Sequence, residues 1–130
     1  MSRSGAFRRI AALAFAALAA GALRAGAADP ATPSKGNPAA AKPIFTQKCI
    51  ACHKADGSGG VKLTGNPTPN WKDPKTWADP KRKNVDAYLR DCITNGKVTS
   101  GMVAWGKTGQ LKPNQIEDLI AYIKTIAPKK

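Results

Sequence analysis

Cys49-Ile50-Ala51-Cys52-His53 places two thiols three positions apart with an imidazole directly after the second. Sulfurs at that spacing can add to the two vinyl groups of one porphyrin, and the adjacent imidazole then falls beneath the ring as a proximal nitrogen for its iron. The motif therefore predicts one covalently attached haem per chain, bonded through Cys49 and Cys52, with His53 as an axial ligand. Two other chemistries use cysteines at this spacing. A thiol oxidoreductase would need a strand–helix setting that the flanking residues lack, and structural zinc wants four ligands where this motif offers three crowded together.

The opposite face of the iron has few candidates. Beyond residue 28 the chain holds a single histidine, His53, and a single methionine, Met102. Bis-histidine ligation within one chain is thus excluded. Met102 lies in the irregular, glycine-bearing segment 96–106, which can fold over a ring face; the plainer alternative is that it fills a gap in the core. A thioether ligand favours the ferrous state and leaves no open coordination position, which implies electron transfer rather than catalysis. Were Met102 displaced from the iron, the chain would instead suit a gas sensor or a weak peroxidase.

The ends of the chain bound where this chemistry takes place. Residues 1–28 read as a secretory signal peptide: Arg3, Arg8 and Arg9 without an acid, an apolar run from Ile10 to Leu23, then small residues for cleavage near Ala27 or Ala28. The run of 14 residues is shorter than the roughly 20 that a membrane-spanning helix needs. Export points to the periplasm. The remaining chain carries 17 Lys and Arg against 8 Asp and Glu, a formal +9, which favours an acidic redox partner, leaves nucleic acid aside for an exported protein, and limits membrane contact to transient encounters. About 102 residues form one domain with little core of its own, so a flat apolar cofactor would complete it.

Residues 29–36, rich in Ala, Pro and Ser, form a flexible leader to a domain spanning 37–130. Asn37 and Pro38 suit the N-cap and first position of a helix running towards Cys49, with Pro43 either kinking it or marking its regular start. A long breaker-rich loop follows His53. Val85, Tyr88, Leu89, Cys92 and Ile93 recur at helical spacing after Asn84, with Gly96 as the stop. A last helix follows Pro113, with Leu111 stapled to Ile116 and a stripe of Ile116, Leu119, Ile120, Ile123 and Ile126. No strand pattern is visible, so the domain is all-α.

These motifs together resemble the class I cytochromes c over nearly all of residues 37–127. The resemblance implies the cytochrome c fold, three main helices and long loops wrapped around one haem c. It also implies that Ala41 and Phe45 on the first helix cross Leu119 and Tyr122 on the last at close range. Met102-Val103-Ala104-Trp105 is similar to the family's distal loop, although Val103 stands where a proline is frequent and Trp105 where a phenylalanine is usual. Thr68-Pro69-Asn70-Trp71 resembles the segment whose proline carbonyl accepts a hydrogen bond from the proximal histidine; Pro69 takes that role, with Pro67 two residues away as the alternative. Pro69, Phe45, Trp105 and Tyr122 are therefore expected to support or pack against the haem.

Three features lie beyond the motif. Cys92, the odd cysteine, sits on the apolar helix face and reads as a small buried hydrophobe. Trp71 and Trp77, in a charged loop, either cover the haem edge near the propionates or fill a satellite core, and packing is the preferred reading. Lys81, Arg82, Lys83, Lys97 and Lys107 can gather around an exposed haem edge and steer an acidic partner. The function that follows is a periplasmic, monomeric, mono-haem electron carrier, not an enzyme; the alternative is the haem subunit of a multi-subunit dehydrogenase complex.

Overall fold

Asn37 starts the first helix, its Oδ1 accepting from the Ala39 N–H at 3.0 Å while Pro38 occupies the position where a missing N–H costs nothing. The computed structural model describes residues 35–129; the expected signal peptide and residues 29–34 of the leader lie outside them. Among the described residues the order is α1 (Pro38–Lys48), α2 (Ile50–His53), α3 (Pro74–Trp77), α4 (Val85–Asn95) and α5 (Pro113–Ile126), with one-turn 3₁₀ segments at Pro80–Arg82 and Val98–Ser100. The only strand-like pairing described is an isolated bridge between Lys97 and Met102. α1 continues through Pro43, so the helix starts at Pro38 and not at Pro43.

The core forms where α1 crosses α5. Ala41, Phe45 and Leu119 are almost wholly buried, and the Phe45 and Tyr122 rings lie 5.0 Å apart. The small Ala41 lets the backbones approach, and Gly36 extends that contact: a Cβ there would sit 2.0 Å from the Glu117 carbonyl oxygen. The Asn37 N–H donates to Asp118 Oδ1 at 2.7 Å. Gly36, read as the end of a flexible leader, is thus docked on α5; the signal is the glycine, whose missing side chain a close approach requires.

α4 is capped by Asn84 Oδ1, which accepts from Ala87 N–H at 3.1 Å, and stopped by Gly96 at φ 71°. It lays Leu89, Cys92 and Ile93 into the core and is clipped to α5 by a bidentate Arg90–Glu117 pair at 2.5 and 2.9 Å and by Lys124–Asp86 at 2.7 Å. Leu111 and Ile116 are both buried at the start of α5, as the staple predicts, and the Gln115 side chain accepts from the Lys112 N–H. No described helix is long and apolar enough to cross a membrane.

Candidate haem-binding site

α1 ends at Cys49 and a single further turn, α2, carries Cys52 and His53, so the motif's three side chains leave one short coil of backbone. The loop after it is laced to that coil. Thr68 Oγ1 donates to the Cys52 carbonyl at 2.7 Å and accepts from the Val61 N–H, while Gly59 N–H bonds the His53 carbonyl and Trp71 N–H the Gly57 carbonyl. A loop without secondary structure is thereby given a fixed path past the histidine.

Across from it, residues 97–105 fold back on themselves. Lys97 and Met102 exchange both backbone hydrogen bonds at 3.1 Å, and the turn at Val98–Ser100 closes through Gly101 at φ 85°. Gly96 makes this possible, since a Cβ on it would meet the Met102 oxygen at 2.6 Å.

Between these segments lies a cavity of about 370 Å³. Cys49, Cys52 and His53 form one wall, Leu63 and residues 66–69 with Trp71 another, Tyr88, Leu89, Cys92 and Ile93 of α4 a third, and residues 99–103 with Trp105 a fourth; Leu119 and Ile123 reach it from α5. Cys49, Cys52, His53 and Met102, chosen from sequence as thioether and axial ligands, all face this one space. Pro69 and Trp105 are on its wall as well. Phe45 and Tyr122 are not: both stand in the core behind it, Phe45 against Trp71 at 6.1 Å and Tyr122 against Phe45. A larger groove of about 690 Å³ elsewhere is lined by Arg90, Glu117, Asp86 and Lys124, which already satisfy one another as ion pairs.

His53 is only 9% exposed, and burial lowers its imidazole pKa to about 4, so it is a neutral donor at pH 7. Its Nδ1 is buried without a hydrogen-bond partner. The expected bond from His53 to the Pro69 carbonyl is therefore not formed; that oxygen lies against Gly59, whose Cβ would fall 2.2 Å from it. Instead the ring is held by Trp71, stacked at 4.4 Å with planes inclined by 11°. Trp71 is 5% exposed and belongs to the main core, not to a satellite, with its carbonyl accepting from Trp77 Nε1 at 2.7 Å. The sequence carried no signal for this beyond a tryptophan two residues after the proline.

Burial pushes the Cys49 thiol up to about 11, with the Lys48 ammonium pulling partly against it. A protonated thiol is the opposite of the activated thiolate that a redox-exchange motif requires. All three cysteines are unpaired, and Cys92 is buried as predicted. No group of three or more His, Cys, Asp or Glu among the described residues could hold a metal ion by itself.

A mostly apolar cavity lined by two thiols at vinyl spacing, a neutral orphaned imidazole and a methionine fits the donor set of a covalently attached haem. The match to known proteins agrees. The family model described as cytochrome C oxidase, cbb3-type, subunit III, covers residues 36–123. The chain belongs to the class I c-type cytochromes. That family consists of electron carriers that bind haem c. Cytochrome c6 of Limnospira maxima is 31% identical over 94 residues, spanning 72% of this chain and 98% of that protein. The cbb3-type cytochrome c oxidase subunits CcoP of Azospirillum sp. (strain B510) and FixP of Bradyrhizobium sp. (strain ORS 278) are 31% and 34% identical over 93 and 91 residues, or 70% and 68% of this chain. The chain spans under a third of the length of those oxidase subunits, 31% and 27%.

Within this cytochrome, Cys49 and Cys52 would hold the haem, and His53 and Met102 would ligate its iron. The group supplies a one-electron couple when bound. The chain's own contribution would be to fix the imidazole by the Trp71 stack and to present a neutral sulfur, while the 63–71 and 97–105 segments, which line the cavity and touch at Thr64 Oγ1 to the Thr99 carbonyl (3.0 Å), would limit the access of water to it.

Proposed function

We propose that this chain is an exported, periplasmic mono-haem cytochrome that carries single electrons between a donor oxidoreductase and a terminal acceptor, with His53 and Met102 as axial ligands. The observation that carries the reading is that Met102, far along the chain, lines the same cavity as the Cys49–His53 motif. A filled sixth position suits transfer of charge and keeps small molecules from the metal. The basic balance of the chain fits an acidic partner.

Production in a host competent for haem maturation tests it. The expected product is red, with a mass equal to the chain lacking its signal peptide plus one haem, and shows the weak near-infrared sulfur-to-iron band in the ferric state. Met102→His abolishes that band. Colourless material at the bare peptide mass overturns the haem reading; a wild-type protein without the band, whose ferrous form binds carbon monoxide rapidly, overturns the ligand assignment in favour of a gas-binding site.

A second reading is favoured by the names of two relatives, CcoP and FixP, which are oxidase subunits. This chain would then be the haem electron-transfer subunit of a larger complex. Size exclusion of native extract separates the two: a carrier elutes near its own mass, a subunit with its complex.

A further inference from the structure

Among the described residues two buried side-chain polar atoms lack a hydrogen-bond partner, and both belong to residues lining the cavity. One, His53 Nδ1, belongs to the proposed proximal ligand. The other is Arg82 Nε, which no role described so far uses.

Arg82 is held in place before any ligand arrives. One Nη donates to the Thr76 carbonyl at 2.5 Å, and the guanidinium carbon lies 5.0 Å from the centre of the Tyr88 ring. No described carboxylate pairs with it; the four ion pairs engage Lys72, Arg90, Lys97 and Lys124. The nearest acid in sequence, Asp79, has its Oδ1 committed to the Lys81 N–H. A guanidinium presents five N–H donors in a planar fork whose geometric complement is a carboxylate. Leaving its Nε sealed from both water and protein is costly unless a bound group supplies that complement. The other two cations on the wall differ: Lys97 is paired with Asp91 at 3.2 Å, and Lys48 lies over the Trp105 ring.

We propose that Arg82 is the carboxylate anchor of the cavity, its Nε–H and a free Nη–H receiving one propionate of the bound porphyrin and so fixing which corner of the ring is buried. This rests on the haem reading above. The one-turn segment Pro80–Arg82, capped by Asp79 and leading into α4, positions the anchor within a basic run read from sequence as steering an acidic partner.

The test compares wild type, Arg82→Gln and Arg82→Lys as holoproteins, with haem attachment first verified by intact mass. If the wild type carries no haem, the underlying reading fails and the anchor is not what was measured. With haem attached, resonance Raman bands of propionate bending should shift in Arg82→Gln. The reduction potential should also fall, because an unpaired carboxylate beside the iron favours the ferric charge. Arg82→Lys, which keeps the charge without the fork, should shift the bands less and recover part of the potential. Bands and potential unchanged in Arg82→Gln, with only the melting temperature lowered, overturn the proposal and leave Arg82 as a tether for Thr76. Should Arg82→Gln fail to accumulate, Arg82→Lys decides: shifted bands support the anchor, and bands identical to wild type overturn it.

Discussion

The His53 imidazole lies flat on the Trp71 indole, 4.4 Å between centroids and 11° between planes, so the proposed proximal ligand is oriented by a stacked ring where a carbonyl was expected. Trp71 in turn meets Phe45 at 6.1 Å, which places the ligand two aromatic contacts from the α1–α5 crossing. The orientation of the ligand and the stability of the helix pair are therefore coupled through one side chain.

Trp71→Ala should cost about 3–5 kcal/mol in chemical unfolding of the holoprotein, the range for removing a large buried aromatic. Trp77→Phe, which removes the 2.7 Å bond from Trp77 Nε1 to the Trp71 carbonyl together with part of the ring that packs on the core, should cost about 1–2 kcal/mol. If Trp71→Ala unfolds within 1 kcal/mol of wild type, the stack contributes little to holding the site.

Helix positions were legible because caps and periodicity are local: Asn37, Asn84, Gly96 and the isoleucine stripe of α5 each do what their neighbours in sequence dictate. That Cys49, Cys52, His53 and Met102 would share one cavity was legible because covalent attachment demands a rigid spacing and because only one methionine and one histidine follow residue 28. The support of His53 was not. It depends on where an irregular loop lies in space, set by Thr68 Oγ1 on the Cys52 carbonyl and by Gly59 against Pro69, contacts that no periodicity announces. Arg82 was hidden in the same way: in sequence it sits between Lys81 and Lys83 as one of three cations, and only its sealed Nε sets it apart.

Gly96 joins a helix stop to the site. Its φ of 71° alone costs an alanine about 1–2 kcal/mol, and the 2.6 Å approach of a Cβ to the Met102 oxygen should add a further 1–3 kcal/mol. Gly60→Ala is the control, with φ at 80° but open space around its Cβ, and should show only the first of these losses. The sharper measurement is spectroscopic. Gly96→Ala should weaken the near-infrared sulfur band while Gly60→Ala leaves it intact; equal spectra would mean that the 97–105 loop absorbs the strain without moving Met102.

Asp56 contributes an acid dependence to the fold. Hydrogen bonds from Ser58, chiefly, and then the Lys72 ammonium at 3.3 Å hold its pKa at about 2, against 3.8 for a free side chain. The unfolded chain therefore takes up a proton at higher pH than the folded one. The stabilisation is fully present above about pH 4 and is lost as pH falls through about 2. Stability measured against pH should show wild type and Asp56→Asn diverging upward from pH 2 and running parallel beyond pH 4. Curves parallel over the whole range would show that the loop's hydrogen bonds do not distinguish the charged carboxylate.

The rim of the cavity combines charge with exposed apolar surface. Leu63 and Val103 line the cavity and are 56% and 40% exposed, and the Lys48 ammonium stands 5.0 Å from the centre of the Trp105 ring on the same wall. A field arranged this way should draw an anion towards the cavity, leave a neutral reagent unaffected and repel a cation. Oxidation of the ferrous protein by hexacyanoferrate should therefore slow as ionic strength rises, and Lys48→Glu should slow it several-fold at low salt. Lys112→Glu, at the start of α5 and away from the cavity wall, makes the same change in net charge and should have a smaller effect. Equal slowing by the two variants would mean that total charge, and not its placement at the rim, governs the encounter.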